Sequence, residues 1–346
     1  MNFKVMARSA NFFKSLLLAR MFNRRVPLRV ALQLTSECNM NCSYCYVNFE
    51  AYKAAADLST KEIFKIIDEL YTQGCRWIWF LGGEPMMRKD FGEIIDYVHG
   101  KGMFCDMNSN GVLINESNLS VVKKLDGVAI SIDGDEETND FYRGKGMYKK
   151  AIEAVKLLTG NGITIRIHSI LTKKTAAKLD KVVEISRQLG VTFSYCEVLR
   201  KEKNDDHVLS QEEHEAFYKR YLDYKKRGAP IMHSMENIEY MLKWPKSDGT
   251  VIHDTECAKY DKKDYVPCLS GDLLCFFDLD GGIYACNGTW GDGLNYNEVG
   301  FKKAWDYLAH RKCVGCRCVG MTSLHSIFGL SEKSIIQALL NVAKIK

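Results

Sequence analysis

From Arg29 to Leu199, short apolar runs alternate with stretches whose apolar residues recur every three or four positions. The runs Val30–Leu34, Trp77–Leu81, Phe104–Asn108, Val128–Ile132, Ile163–Leu171 and Thr192–Leu199 read as strands. Helices are predicted from Ser59 to Gly74, over Asp90–His99, Glu116–Lys123, Tyr148–Leu158 and Ala176–Leu189. Ser59 and Glu62 make a capping box at the first of these, and Ile63, Ile66, Ile67 and Leu70 give its apolar face. Strict strand–helix alternation predicts a parallel α/β sheet with right-handed crossovers. Six units are too few to close an eight-stranded barrel, so the expected fold is a partial (β/α)6 TIM-like barrel. Its active residues belong at the C-terminal ends of the strands.

The pattern changes outside this block. Near the N-terminus Met6, Ala10, Phe13, Leu17 and Met21 recur at helical spacing, with Lys4, Arg8, Asn11 and Ser15 opposite. This helix either docks on the protein's own core or lies, basic and amphipathic, on a membrane surface. No run approaches the roughly 18 apolar residues of a membrane span, and no signal peptide is legible. Ser210–Arg227 and Met235–Trp244 read as helices, Phe276–Cys286 as a β-hairpin, and Ser331–Ile345 as a closing helix. The expected organisation is a basic helix over 1–28, a partial barrel over 29–200, a helical bridge over 201–262 and a small cysteine-rich domain over 263–346.

Composition adds one point. Among 346 residues the net charge of +5 is modest, and no basic tract points to nucleic acid. The 13 cysteines are many, odd in number and clustered. That pattern fits metal centres in a reducing compartment, hence a cytoplasmic protein, rather than a disulfide framework.

Three of the cysteines, Cys38, Cys42 and Cys45, lie on one loop directly after the first strand. Three thiolates can hold three corners of an iron–sulfur cube and leave the fourth iron open; a zinc loop or three unrelated thiols are the alternatives. The second strand ends in Gly82-Gly83-Glu84-Pro85. Two glycines let backbone approach a ligand, and their carbonyls and the Glu84 carboxylate can accept from an ammonium group. An ordinary glycine turn would read the same way.

Together, Cys-x3-Cys-x2-Cys with Tyr44 before the third cysteine, and Gly-Gly-Glu-Pro after the second strand, resemble the radical S-adenosylmethionine (SAM) superfamily over about Arg29–Leu199. The resemblance implies a 4Fe–4S cluster that binds SAM and cleaves it reductively to a 5′-deoxyadenosyl radical, which abstracts a substrate hydrogen. It implies SAM contacts from Gly82, Gly83, Glu84 and Pro85. Asn108-Ser109-Asn110 resembles the family's Thr-Asn-Gly segment, with Ser109 where threonine is usual. Ser131 and Asp133 match a Ser-x-Asp-Gly element, and Arg143 an Arg-Gly that follows it. Arg143 would pair with the SAM carboxylate, or else sit in a surface salt bridge. His168, Glu197 and Asp106 are candidate acid/base residues, each readable instead as a satisfied structural group.

Cys268, the Gly281-x4-Cys286 spacing and Cys313-x2-Cys316-x-Cys318 resemble a shortened SPASM or twitch extension. This implies one auxiliary 4Fe–4S cluster on Cys268, Cys286, Cys313 and Cys316, with Cys318 as substitute or extra ligand; structural zinc is the alternative. Cys75, Cys105, Cys196 and Cys257 read as buried packing thiols, and Cys275 as a packing thiol in a strand with cluster ligation as its alternative. The expected activity is radical modification of a peptide or protein, with a flavodoxin- or ferredoxin-type reductant. The rivals are a lipid or membrane-associated substrate, reached from the inner face of the membrane, and a non-catalytic electron carrier.

Overall fold

The structure is a computed structural model that describes residues 3–45, 47, 57–198, 207–245, 251–310 and 313–330. The chain forms two compact units, treated in turn. The first takes the described residues of Met1–Asn41, Val47–Ala129 and Leu269–Arg311; the second those of Cys42–Tyr46, Ile130–Cys268 and Lys312–Lys346.

In the first unit β1 (Arg29–Gln33), β2 (Trp77–Leu81) and β3 (Phe104–Ser109) pair in parallel, and β4 (Gly127–Ser131) begins beside β3. All five residues of β1 are buried, as expected for a central strand covered on both faces. The helix Thr60–Thr72 starts at the predicted capping box and buries Ile63, Ile66, Ile67 and Leu70. The helix Phe91–Gly100 sets Phe91 edge-on against Phe80, with ring centroids 5.3 Å apart.

On its other edge β1 pairs in parallel with β8 (Leu274–Phe277), which the sequence did not place. β8 turns through Asp278–Gly281 into β9 (Gly282–Tyr284), and β10 (Gly293–Asn295) completes the antiparallel edge. The hairpin is the one predicted; its seat on the main sheet is the new finding. Gln33 Nε2 donates to buried Asp278 Oδ1 at 3.1 Å and ties the two segments.

The N-terminal helix, Phe3–Met21, docks on this unit, but not through the stripe that the spacing singled out. Phe12, Leu16 and Ala19 are buried, and the Phe12 ring meets Trp77 edge-on at 5.6 Å. Arg8, placed on the polar side by the pattern, instead turns inward to Asp126 at 2.9 Å. Met6, Phe13, Leu17 and Met21 face solvent. A half-buried ion pair overrides the simple periodicity, because the guanidinium satisfies Asp126 beside His99 and Cys105.

The second unit contains β5 (Ile165–Leu171) paired in parallel with β6 (Thr192–Glu197). Helices Met147–Gly160, Leu179–Leu189, Gln211–Lys226 and Met235–Leu242 accompany them. Phe193, Tyr195, Phe217 and Tyr221 form its aromatic core; the Phe217 and Tyr221 rings stack at 5.4 Å. β7 (Val251–His253) pairs antiparallel with β11 (Cys313–Cys316), and the helix Val319–Phe328 follows.

Several element readings change. The helix expected over Ala176–Leu189 breaks at Lys178 into Lys173–Ala177 and Leu179–Leu189. Glu116–Lys123 contracts to Leu119–Val122. The helix Glu136–Arg143 was not anticipated: it is polar, and its signal is Asp135, whose side chain accepts from Thr138 N at 3.1 Å as an N-cap. The predicted closing helix Ser331–Ile345 lies outside the described residues.

Candidate active site

In the first unit, the segment that enters the cysteine loop lies against the end of β2. Gly83 N donates to Thr35 O at 2.7 Å and Glu84 N to Glu37 O at 2.8 Å. A Cβ on Gly83 would stand 2.1 Å from the Glu37 carbonyl oxygen, and one on Gly82, at φ +141°, 2.7 Å from that of Thr35. Only glycine allows this approach. Arg88 adds bonds to Leu34 O at 3.0 Å and Leu58 O at 2.9 Å. Asp57 accepts from Ser36 N at 2.9 Å and from the hydroxyl of Thr35. Neither residue was singled out in the sequence; Arg88 had no motif, and Asp57 acts through long-range contacts that spacing does not reveal.

Glu84 is fully buried. Its carboxylate accepts from Ser109 Oγ at 2.8 Å, Asn110 N at 2.7 Å and Met86 N at 3.1 Å. Burial pushes its pKa up while these three donors pull it down. The carboxylate joins the ends of β2 and β3, and these three bonds leave one acceptor position of the four that a carboxylate offers. Pro85, also buried, starts a short 3-10 turn. Ser109 is buried, and its hydroxyl also accepts from Gly111 N at 3.0 Å. Asn110 Nδ2 donates to Asn39 Oδ1 at 2.8 Å and so ties the end of β3 to the cysteine loop next to Cys38. Asn108 Oδ1 accepts from Trp79 Nε1 at 3.1 Å.

Asp106 leaves the candidate acid/base set. It is buried near the start of β3, paired with Arg29 at 3.2 Å, and it accepts from Trp77 Nε1 at 2.7 Å. It lies away from the C-terminal strand end and its oxygens serve a structural pair.

In the second unit Cys42 and Cys45 share a tight turn, with Cys45 N donating to Cys42 O at 3.0 Å. Ser43 N donates to Tyr142 O at 3.1 Å, and the Tyr44 and Tyr142 rings lie 5.1 Å apart. The Tyr44 hydroxyl donates to Asp133. Asp133, just past Ser131 and the end of β4, is fully buried and takes four roles at once. Its Oδ2 also accepts from Arg143 Nε at 2.7 Å, its Oδ1 from Ile170 N at 2.9 Å, and its own N donates to Asn139 Oδ1 at 3.1 Å. Arg143 is 8% exposed, so the surface-bridge alternative falls. Its guanidinium lies over the Tyr44 ring at 5.6 Å. Burial raises the Cys42 thiol pKa, and the positive charge of Arg143 offsets part of that rise.

His168 lies on β5, opposite Ser194 on β6, with Nδ1 3.1 Å from Ser194 Oγ. Burial, aided by the charges of Arg166 and Arg143, lowers its pKa to about 4, so the ring is neutral at neutral pH. Glu197 ends β6 and is bonded by Tyr218 Oη and by Val319 N, the latter at 3.2 Å. Burial raises its pKa.

Of the C-terminal cysteines, Cys313 and Cys316 lie on β11, and Cys268 N donates to Val314 O at 2.8 Å, which brings Cys268 beside that strand. Tyr240 Oη donates to Cys316 O at 3.3 Å. Cys286 belongs to the first unit, after β9, where its sulfur accepts from Gly288 N at 3.3 Å. Cys318 stands at the N-cap position of the helix Val319–Phe328, without a capping bond from its side chain. Cys75, Cys105 and Cys275 are buried, as packing thiols should be.

Parallel strands alternating with helices and a three-cysteine loop tied to a Gly-Gly-Glu-Pro turn define a radical SAM domain, and residues 32–184 match the family model described as Radical SAM superfamily. The chain carries a radical SAM domain over these residues and is an enzyme. It is 25% identical to an AdoMet-dependent heme synthase of Oleidesulfovibrio alaskensis, over 85% of this chain and 83% of that one. It is 31% identical to the mycofactocin maturase MftC of Mycolicibacterium smegmatis, over 48% of this chain and 43% of that one. The structure of Streptococcus suis SuiB bound to its precursor peptide SuiA has the same fold, with a TM-score of 0.63 at 16% identity, covering 84% of this chain and 67% of that one. The AdoMet-bound structure of anSMEcpe matches with a TM-score of 0.62 at 18% identity, covering 81% and 80%. The family's cofactors are a 4Fe–4S cluster and SAM.

Proposed function

We propose that Cys38, Cys42 and Cys45 hold the cluster, that SAM binds beside it, and that the enzyme abstracts a hydrogen atom from a peptide or protein. The observation that carries this reading is that both ends of the cysteine loop are tied to SAM-type segments. Glu37 and Asn39, on either side of Cys38, are tied to Glu84 and Asn110, and Tyr44 is tied to Asp133. The donor set fits: three partly exposed thiols on one loop suit a three-thiolate cluster. When bound, the cluster and SAM supply radical chemistry at one C–H bond of the substrate.

The chain's own residues orient the ligand. The Gly82 and Gly83 carbonyls receive the SAM ammonium. The Arg143 Nη groups receive the carboxylate, with Nε held by Asp133. Ser131 lies at the nucleoside. Neutral His168 and the half-buried Glu197 remain the candidates for moving a proton. Cys268, Cys286, Cys313 and Cys316 carry the auxiliary cluster, and a flavodoxin- or ferredoxin-type protein delivers the electron.

Peptide chemistry is supported by the likeness to a PqqA peptide cyclase of Granulibacter bethesdensis, 28% identical over 48% of this chain and 46% of that one. The heme synthases that match most of the chain bring iron porphyrins into the same substrate panel. With SAM and dithionite under anaerobic conditions, wild type is expected to form 5′-deoxyadenosine, and Cys42→Ala to form none. If wild type forms none with peptides, porphyrins or lipids present, the enzyme reading fails.

One observation favours a second reading, a membrane-associated substrate. The outer face of the N-terminal helix exposes Phe13 by 57%, Leu17 by 50% and Met21 by 67%, beside Lys14, Arg20 and Arg24. Among the described residues no helix is long and apolar enough to cross a membrane. Deleting the helix would also strip buried Phe12 and Leu16, so the better test is Phe13→Glu with Leu17→Glu. Flotation with phosphatidylserine-containing vesicles should drop at least about tenfold; equal flotation of both proteins would remove this reading.

A further inference from the structure

Glu197 does not stand alone at the end of β6. The sulfurs of Cys196 and Cys318 are 3.9 Å apart, and both lie with a Glu197 carboxylate oxygen inside one sphere of mutual distances below 4.8 Å. Two thiolates each 2.3 Å from one tetrahedral ion stand about 3.8 Å from each other. The observed separation matches that of two ligands of a single metal, and equally an S–H···S contact between two thiols. It is nearly twice the ~2.05 Å of a disulfide.

A second observation points to the same place. His214, on the helix Gln211–Lys226, is 7% exposed, and both of its ring nitrogens are buried without a hydrogen-bond partner. A buried polar group in that state is destabilising unless something unseen satisfies it. Its Nε2 lies 3.8 Å from Glu197 Oε1. That is beyond hydrogen-bond range. It is close to the ~3.4 Å expected of an imidazole nitrogen and a carboxylate oxygen on one tetrahedral ion, while the ring stands outside the 4.8 Å group of the two sulfurs and the carboxylate and has to swing toward them to become the fourth ligand. The remaining capacity of Glu197 is already ordered by Tyr218 Oη and Val319 N, as metal-binding carboxylates commonly are. The approach of the C-terminal helix is close: a Cβ on Gly320 would lie 3.4 Å from the Cys196 sulfur.

The other cluster of this kind, His99, Cys105 and Asp126, already holds a cation, because Arg8 is paired with Asp126 at 2.9 Å. No such cationic side chain is bonded to Cys196, Glu197 or Cys318 among the described contacts.

We propose that Cys196, Cys318, Glu197 and His214 form a closed four-coordinate site for one zinc-class divalent cation, using none of the other cysteines. Two thiolates, one imidazole and one carboxylate suit zinc and leave no open position, so the site is a staple. It joins three segments distant in sequence: the end of β6, the helix Gln211–Lys226 and the start of the helix Val319–Phe328. It also withdraws Glu197 from the proton-moving candidates and reassigns two thiols. Cys196 is no longer only a packing group, and Cys318 leaves the auxiliary-cluster set.

The test uses the full chain with its iron–sulfur clusters reconstituted anaerobically. Elemental analysis should find about one zinc per chain, and zinc-edge X-ray absorption a first shell of two sulfurs and two nitrogen or oxygen atoms. After zinc removal and titration with Co²⁺, wild type should take up about one equivalent with sulfur-to-cobalt charge-transfer bands. Cys196→Ala and Cys318→Ala should lose that equivalent with iron and sulfide unchanged. Cys257→Ala should retain it, and His214→Ala should bind cobalt at least about tenfold more weakly. Loss of about four irons with Cys318→Ala would assign these thiols to a cluster and overturn the proposal. So would a four-sulfur zinc shell, or cobalt uptake that neither cysteine variant changes. Because the X-ray measurement is made on wild type, a variant that fails to fold leaves the proposal testable.

Discussion

Asp133 binds Tyr44, Arg143 and the backbone of β5 with one carboxylate, so its replacement has a double cost. Asp133→Asn leaves the Arg143 guanidinium buried without its counter-charge. Removing one member of such a pair costs about 3–5 kcal/mol. Urea unfolding should show a loss of that order, and a change below about 1 kcal/mol would mean that the pair is not a support of this unit. Arg143→Lys keeps the charge but removes the planar fork. It is expected to weaken SAM binding about tenfold or more by equilibrium dialysis, with a much smaller loss of stability than Asp133→Asn.

At the scale of elements, the cysteine loop is placed by glycines as much as by its own residues. Gly83→Ala sets a methyl group against a carbonyl oxygen that cannot move without the loop. The reconstituted iron content of the loop's cluster should fall by at least half, with reduced 5′-deoxyadenosine formation. Gly160→Ala, where a Cβ meets nothing within 4 Å at the end of the helix Met147–Gly160, is the matched control and should be neutral. This contrast shows what the sequence can and cannot say. Strands β1 to β6 were legible because each is a short apolar run between turn residues. The helix Thr60–Thr72 was legible because a capping box marks its start. The polar helix Glu136–Arg143 lacks an apolar face and passed unread. The motif also located Glu84 and Asp133 but not their roles, since Ser109, Asn110 and Tyr44 reach them only through the fold. The N-terminal stripe was read on the wrong side for the same reason: Asp126, which draws Arg8 inward, is 118 residues away.

For the molecule as a whole, pH acts through buried histidines. His233 is 1% exposed, with Nδ1 3.1 Å from Tyr221 Oη, and burial lowers its pKa to about 3. In the unfolded chain a histidine titrates near 6.5. Between about pH 6.5 and pH 3 the unfolded state therefore binds a proton that the folded state refuses. Stability is fully present above that window and is lost as pH falls through it, at up to about 1.4 kcal/mol per pH unit for each such group. His168 adds the same trend down to about pH 4. Urea unfolding of His233→Gln at pH 7.5, 6 and 5 should show a shallower pH slope than wild type; an identical slope would mean that His233 is charged in the native protein. The pairing of β1 with β8 bears on how the molecule is made. Gln33 and Asp278 are 245 residues apart. At roughly 5–20 residues per second of synthesis, β1 waits on the order of ten to fifty seconds for its outer neighbour. During that time a fully buried-type strand presents an open edge at the ribosome. Chains halted before Leu274 keep that edge permanently, so they should depend on chaperones, or aggregate, in a way that the finished chain does not.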